Sequence, residues 1–585
     1  MKRRSFEVRF MVFAAALAAV AMGLPAYSNT SALSAKQSPT IVRAARSRAG
    51  LFTLYKEAGK VGCREATLEE AAAFGERDAN QRLRPISPIL PFNLEEGEAG
   101  LTIMLRGTPQ LDSFPQAREA FLRAAEIWES RIQTPITIIV DVDFGPERFG
   151  RPYPPGVLGS TRTQSLGADD IYPDVRQALL DGASSVEETA LYNSMPGSPM
   201  VATDIGNANF VLAPSATFRA LGMIEPVADP VAEQEKFGDP PSIGFNSAFD
   251  YDFDPSNGID PDKTDFEAVA VHEIGHALGF SSAVGLQELD DSDPPAIAVW
   301  DLFRLRSGTP QSAFSTAVRI LSSGGRQSFF AAGLDAPLST GRPDGNGGDG
   351  NQSSHWKADE QTGRHVGIMD PTIADGDREV LTSHDLLAVE TFGYTLRSGI
   401  NIAPEAGDLQ AVANVPGNVL TLSGAVVDLD SDASQVEIRL LNESGGELRV
   451  EPVAITNPVG SRVTSYSKEF NLGQLPGLRR AMITVRDTPG NVSQVVTTDV
   501  IFDGAQGRPT LSKVTYNGKK LKIKGQGLTG TLLVEVNGVV VAEAFGAGGK
   551  VVVKARPSAL NIVSGANLVR VIGGNRRSDA ATLNF

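Results

Sequence analysis

Between residues 115 and 132, apolar side chains return at the spacing of one helical face. Phe121, Ala125, Trp128 and Ile132 form the stripe, and the run predicts an amphipathic helix from Pro115 to Ile132. Continuous apolar runs flank it at 101–105 and 136–142 and predict strands. Strand, helix, strand opens an α+β or α/β domain. Upstream, residues 51–55 predict one more strand, and Thr67-Leu68-Glu69-Glu70 is a capping-box pattern opening a short alanine-rich helix. Arg82 to Pro91 holds three prolines and two arginines and predicts an exposed linker. Thr264-Asp265-Phe266-Glu267 predicts another capped helix, running through Val269 to Leu278 and stopping at Gly279. Gly345 to Gly350 predicts a flexible loop. A last helix begins near Thr382 and ends near Phe392-Gly393-Tyr394.

After about residue 400 the period changes from helical to alternating. Val436-Glu437-Ile438-Arg439-Leu440 and Met482-Ile483-Thr484-Val485 are of this kind, with turn signals between such runs. That spacing predicts a β-sandwich. A second block follows Pro509, with apolar runs at 532–536 and 551–553. No period of 20–50 residues marks a solenoid.

The length of 585 residues suggests roughly four units at about 150 residues per domain. A hydrophobic fraction of 41% excludes wholesale disorder, and the net charge of −16 argues against a nucleic-acid binder as a whole. The charge is unevenly spread. Residues 508–585 carry twelve basic groups and three acids, a net of +9, whereas residues 29–507 carry −28. At the start, Lys2, Arg3, Arg4 and Arg9 precede an apolar run from Met11 to Leu24 and a small-residue site at Ala26-Tyr27-Ser28. This reads as a secretory signal peptide, so the mature chain is expected to be extracellular, periplasmic or at the cell surface, with no membrane span.

The chemistry concentrates in His272-Glu273-Ile274-Gly275-His276. Residues i and i+4 share a helical face, so both imidazoles reach one metal ion, and Glu273 can lean toward a metal-activated water. Catalytic zinc takes three protein ligands and keeps a fourth position open, so a third ligand is required. Only His355, His365 and His384 remain among the histidines, and Glu288, Asp290, Asp291 and Asp293 are the acidic candidates. Ser282 stands where a short HExxHxxGxxH pattern would put its last histidine. No G-x-S-x-G elbow is present.

The order HEIGHALGF at 272–280, Ser354-His355-Trp356, then Gly367-Ile368-Met369-Asp370-Pro371 is specific. It resembles the leishmanolysin branch of the metzincin metalloproteases, and secreted bacterial metalloproteases with the same three motifs. The likeness covers roughly residues 100–396. It implies that His355 is the third zinc ligand, Met369 the Met-turn methionine beneath the metal, and Glu273 the general base that later passes its proton to the leaving amine. The single cysteine departs from the disulfide-rich leishmanolysins.

The expected architecture is an α+β metzincin-like catalytic domain followed by two all-β sandwich modules. Its divisions are 1–28 signal peptide, 29–100 leader or pro-segment, 101–396 catalytic domain, 401–507 immunoglobulin-like sandwich and 508–585 basic sandwich resembling the IPT/TIG type. The expected activity is zinc-dependent endopeptidase. The rivals are a secreted adhesin whose HExxH domain is inactive, and a zinc hydrolase acting on a non-peptide bond. Cys63 lies in the leader without an intramolecular partner. A thiolate could take the open zinc position and hold the enzyme latent, as in the cysteine switch of related metzincins. The bland alternatives are a packing residue and an intermolecular disulfide. Calcium candidates are the aspartates between Asp250 and Asp265, which do not fit an EF-hand, and Asp428, Asp430 and Asp432. Lys519, Lys520, Lys522 and Lys524 suggest an electrostatic contact with an anionic cell-surface polymer or with the acidic body of the same chain.

Overall fold

The computed structural model describes residues 40–43, 51–74, 82–87, 100–285, 295–331, 333–341, 347–555, 557 and 560–585. All of them belong to one compact unit, Pro39–Phe585. The expected signal peptide and the acids between Glu288 and Asp293 lie outside the described residues, as does most of the Gly345–Gly350 loop's first part. No described helix is long and apolar enough to cross a membrane.

The architecture is mixed α and β, with a helix-bearing N-terminal body and an all-β C-terminal part. The main sheet of the body has eight strands: β1 (Leu51–Glu57), β2 (Lys60–Glu65), β3 (Arg84–Pro85), β4 (Thr102–Gly107), β5 (Thr137–Gly145), β6 (Val157–Arg162), β7 (Ser242–Asn246) and β8 (Thr372–Ala374). Their order is β8-β2-β1-β6-β7-β5-β4-β3. β4, β5 and β7 run parallel, and β6 joins antiparallel to β7. The hairpin β1–β2 continues the sheet from β6, with Thr53 opposite Ser160 and Leu54 opposite Gly159. The segment expected as a leader is therefore woven into the same sheet as the rest of the body, and residue 100 is not a boundary of packing. Within the expected Arg82–Pro91 linker, Arg84 and Pro85 are exposed but pair with Gly107 and Arg106, and residues 88–91 lie outside the described residues.

Helix α1 (Pro115–Glu129) buries Phe121, Ala125 and Trp128 of the predicted stripe together with Ala117, Ala120 and Ala124, but it ends before Ile132, which is buried just beyond it. It packs against α2 (Phe266–Leu278), and the indole of Trp128 donates to the carbonyl of Val271 at 2.9 Å. Every residue of α2 is buried, so its sequence shows little amphipathic alternation. Its N-cap is Asp265, whose carboxylate accepts from the Ala268 amide, rather than the Thr264 box the sequence suggests. Glu267 is drawn away from a capping role by Arg123 and Arg378. At the other end Gly279 has φ 153°, and a Cβ there would meet Phe392 at 2.5 Å. Helix α3 (Ser383–Glu390) carries a full capping box between Thr382 and Asp385.

The C-terminal part contains both expected sandwiches. Glu405–Asn414, Val419–Val427 and Val463–Asn471 face Ala433–Asn442, Glu447–Ala454, Leu478–Asp487 and Val496–Asp499 across a core that includes Leu422, Val436, Ile438 and Val485. The second module has its own core around Leu521, Ile523, Val534 and Val571. The two are not beads on a string. Ile501–Asp503 pairs in parallel with both Glu405–Asn414 and Arg576–Arg577, so one nine-stranded sheet runs through both modules.

Candidate metal centre

α2 presents His272 and His276 one turn apart on one face. A long insertion intervenes, built partly from the three-stranded sheet of Arg304–Arg306, Gln327–Ala331 and Leu334–Pro337. The chain then returns through Ser354-His355-Trp356. The three imidazoles converge, with ring centroids 4.9–5.0 Å apart in every pair. His355 is thus the histidine that meets the helix pair. His365 instead places its Nε2 3.2 Å from the Val380 carbonyl. His384 lies 3.7 Å from the Glu405 carboxylate. Ser282 is no ligand either, because its hydroxyl donates to Asp301 at 2.8 Å.

The orientation of each ring is set by a backbone carbonyl. Nδ1 of His272 meets Ile368 O at 2.8 Å, that of His276 meets Phe280 O at 2.7 Å, and that of His355 meets Gln352 O at 3.0 Å. A carbonyl only accepts, so Nδ1 carries the proton in each ring and Nε2 is left with its lone pair. Those lone pairs point inward. Nε2 of His272 and His355 stand 3.0 Å apart, and Nε2 of His276 is buried with no partner. Two such acceptors repel unless one ring is protonated, and burial works against that. It pushes His272 down to about 4, and His276 and His355 well below their usual range. A cation between the nitrogens removes the repulsion. In a tetrahedral zinc site with bonds of ~2.0–2.1 Å, ligand nitrogens stand roughly 3.4 Å apart, close to the spacing seen. The donor set therefore fits zinc.

Glu273 is fully buried, and neither carboxylate oxygen has a hydrogen-bond partner. Burial pushes its carboxyl up to about 8, with the nearby Thr161 side chain opposing the shift in part. A cation among the imidazoles would favour the carboxylate form.

Met369 lies under α2. A Cβ on Gly275 would come within 2.6 Å of its sulfur, so the glycine of the motif makes room for the methionine at the cost of helix propensity. The turn bearing Met369 is held by Asp385, a residue the sequence marks only by its place at the start of the last helix. Its buried carboxylate accepts from the amides of Ile368 (2.9 Å) and Thr382 (2.9 Å) and from the Trp356 indole (2.7 Å). Asp385 thus ties the His355 segment to the Met369 turn. A Cβ on Gly367 would meet its oxygens at 2.5 Å.

The hairpin β1–β2 closes the site. Phe52 stacks on His276 with ring centroids 4.0 Å apart. Cys63 sits opposite Leu54 in β2, and its sulfur lies within 4.8 Å of a ligand nitrogen of each of the three histidines. Burial pushes the Cys63 thiol well up, the Glu273 carboxylate adds to this, and Arg64 opposes it. Of the aspartates before α2, Asp252, Asp260 and Asp265 are already committed. Asp252 accepts from the amides of Asp254 and Asp260, Asp260 pairs with Lys263, and Asp265 caps α2 and pairs with Arg378. The calcium expectation there has no support in the contacts.

No protein-family model matches the chain, and no curated protein matches it. Among solved structures, it is similar to a biofilm associated protein, BSP domain, at 16% identity and a TM-score of 0.14. The match spans 31% of this chain and 29% of that one, too slight a likeness to bear on fold or function.

Proposed function

We propose that the chain is an exported zinc-dependent endopeptidase of the metzincin type, with His272, His276 and His355 as metal ligands and Glu273 as general base. The observation that supports it most is the set of three buried Nε2 lone pairs aimed at one point, with an unpartnered buried carboxylate on the residue after the first of them. Bound there, zinc would supply Lewis acidity, lowering the pKa of a water molecule to near 7 and polarising a peptide carbonyl. The chain's own residues do the rest. The carbonyls of Ile368, Phe280 and Gln352 hold the imidazoles in the ligating tautomer. Glu273 accepts a proton from the attacking water and delivers it to the leaving amine. Until it is released, the hairpin face bearing Phe52, Leu54 and Cys63 covers the centre.

Zinc analysis of the full chain tests this. Wild type should hold one zinc per chain and, once the β1–β2 hairpin has been released, cleave casein. His355→Ala should lose both metal and cleavage, whereas His365→Ala should keep them. Stoichiometric zinc in His355→Ala would remove the site as drawn. An intact site with no cleavage of any protein would favour the rival, an adhesin with an inactive HExxH domain.

A partner follows from the last module. Its outer sheet pairs Thr510–Tyr516, Lys520–Gln526 and Lys550–Lys554. Lys520, Lys522 and Lys524 alternate with buried Leu521 and Ile523, so they share the exposed face as their spacing predicts. Lys554 stands opposite Lys520, and Lys513 and Lys550 stand opposite Lys524. Like charges directly across a sheet destabilise it, and no described acid pairs with these lysines. An anionic cell-surface polysaccharide fits this flat face, which carries no aromatic ring on which a base could stack. Because the two modules share a sheet, charge reversal is a cleaner test than truncation. Lys520→Glu/Lys522→Glu/Lys524→Glu should bind polygalacturonate at least 10-fold more weakly at low salt, and the gap should shrink as salt rises. Equal binding at low salt would discard the partner.

A further inference from the structure

We infer that the loop Asp428–Asp432 is a calcium site that locks the joint between the helix-bearing body and the first sandwich. The loop carries the chain from one sheet of that sandwich, at Val427, to the other, at Ala433. Asp428, Asp430 and Asp432 each aim one carboxylate oxygen at a common space, and these oxygens lie within 4.8 Å of one another. Calcium–oxygen bonds of about 2.4 Å reach across such a span.

Acidic loops are common, and this one has a feature that an ordinary solvated loop lacks. Asp428 is fully buried, and its Oδ1 has no hydrogen-bond partner. Its Oδ2 is used up by the amides of Asp432, at 2.7 Å, and Ala433. The free oxygens of Asp430 and Asp432 are likewise shielded and unpartnered. A buried anion with one bare oxygen facing two more carboxylates is costly unless a cation joins them. Burial and the neighbouring Asp430 carboxylate push Asp428 up to about 7, in keeping with a group that lacks its counter-charge. The aspartates before α2 are the internal contrast, since backbone amides, Lys263 and Arg378 satisfy them. The all-oxygen donor set, with no nitrogen or sulfur, selects a hard cation over zinc.

The position gives the ion a task. The Asp428 amide donates to Arg462 O at 2.8 Å, and the Arg462 guanidinium grips both oxygens of Glu390 at the end of α3. Val427 and Leu429, flanking Asp428, pack into the core of the body. The Thr488 amide and hydroxyl donate to Asp432 O, and Asn491 reaches Asn401 in the connecting segment. An ion drawing the three carboxylates together would pin body, connector and both sheets at one point.

The test is calorimetric titration of calcium chloride into the full chain, stripped of metal and reloaded with one zinc, alongside thermal unfolding. One calcium should bind per chain with a Kd below about 10⁻³ M, the range of extracellular modules, and raise the unfolding midpoint. Asp430→Asn and Asp432→Asn, nearly isosteric and only half-buried, should weaken calcium at least 10-fold without altering zinc content. Asp428→Asn should abolish calcium binding, and should it fail to fold, the other two variants carry the test. Asp254→Asn should leave calcium binding unchanged. Absence of binding at 5 mM calcium, equal affinity for magnesium, or full calcium affinity in Asp430→Asn and Asp432→Asn would each overturn the proposal.

Discussion

Glu273→Ala should lower peptide hydrolysis by about 10²–10⁴-fold, the usual contribution of a positioned general base, while the zinc content stays at one per chain. The carboxylate is not among the converging Nε2 donors, so its removal leaves the ligand set whole. It sits fully buried on the helix between two ligands, with both oxygens unpartnered, so alanine leaves no donor stranded and the fold should hold. Full activity in the zinc-loaded variant would remove Glu273 from the chemistry. Combined loss of zinc and activity would instead make it a ligand or a structural prop. Glu273→Gln sharpens the result, because it keeps the volume and removes only the basicity.

The second large effect concerns Cys63 and the hairpin that carries it. With the hairpin in place the three histidines are at most 7% exposed, so a protein substrate reaches them only when the hairpin lifts away. The unprocessed protein should therefore be close to inactive. Cleavage between β2 and β4, followed by loss of the hairpin, should raise activity by orders of magnitude. If the thiolate is a zinc ligand, Cys63→Ser or a thiol-modifying mercurial should raise activity before any cleavage, and the variant should cut itself between about Gln81 and Gly100. If Cys63 merely packs, Cys63→Ser will stay as latent as wild type, and only hairpin removal will activate. In the first case metal binding removes the thiol proton that burial otherwise holds in place. The sulfur's spectroscopic signature in a cobalt-substituted protein separates the two outcomes independently of activity.

Local signals in the sequence are enough to find the two helix histidines. The i, i+4 pair and the glycine stop reflect short-range geometry, and α1 and α2 fall where periodicity and breakers put them. The third histidine is another matter. His355 reaches the centre only after a long insertion has folded back. Without the motif order, spacing cannot separate it from His365 and His384. Asp385 stands at the start of the last helix, but its bonds to Ile368 and Trp356 are long-range and leave no local trace. The same holds for Thr264 and Asp265. Either could cap α2, and the arginines that capture Glu267 decide between them from elsewhere in the chain. The hairpin misled most. Its strand pattern is legible at residues 51–55, yet its partner β6 lies about 100 residues downstream, beyond any periodicity. A short strand in a segment read as a leader therefore gave no hint of being part of the main sheet.

The pairing of β8 with β2 sets a schedule for folding. Thr372 lies opposite Gly62, about 310 residues away, and β1 and β2 sit inside the sheet order rather than at its end. A chain that must join such distant segments pays a large loop-closure entropy before the contacts form, and folds slowly. As the polypeptide emerges from synthesis, the early hairpin has to wait for β6, and the sheet cannot be finished until residue 374 is out. His355 and the Met369 turn arrive in that same last stretch. The three imidazoles are therefore brought together only in the late stretch that completes the sheet, beneath a hairpin that β6 has already received, so an uncovered cluster has little time to exist in the nascent chain.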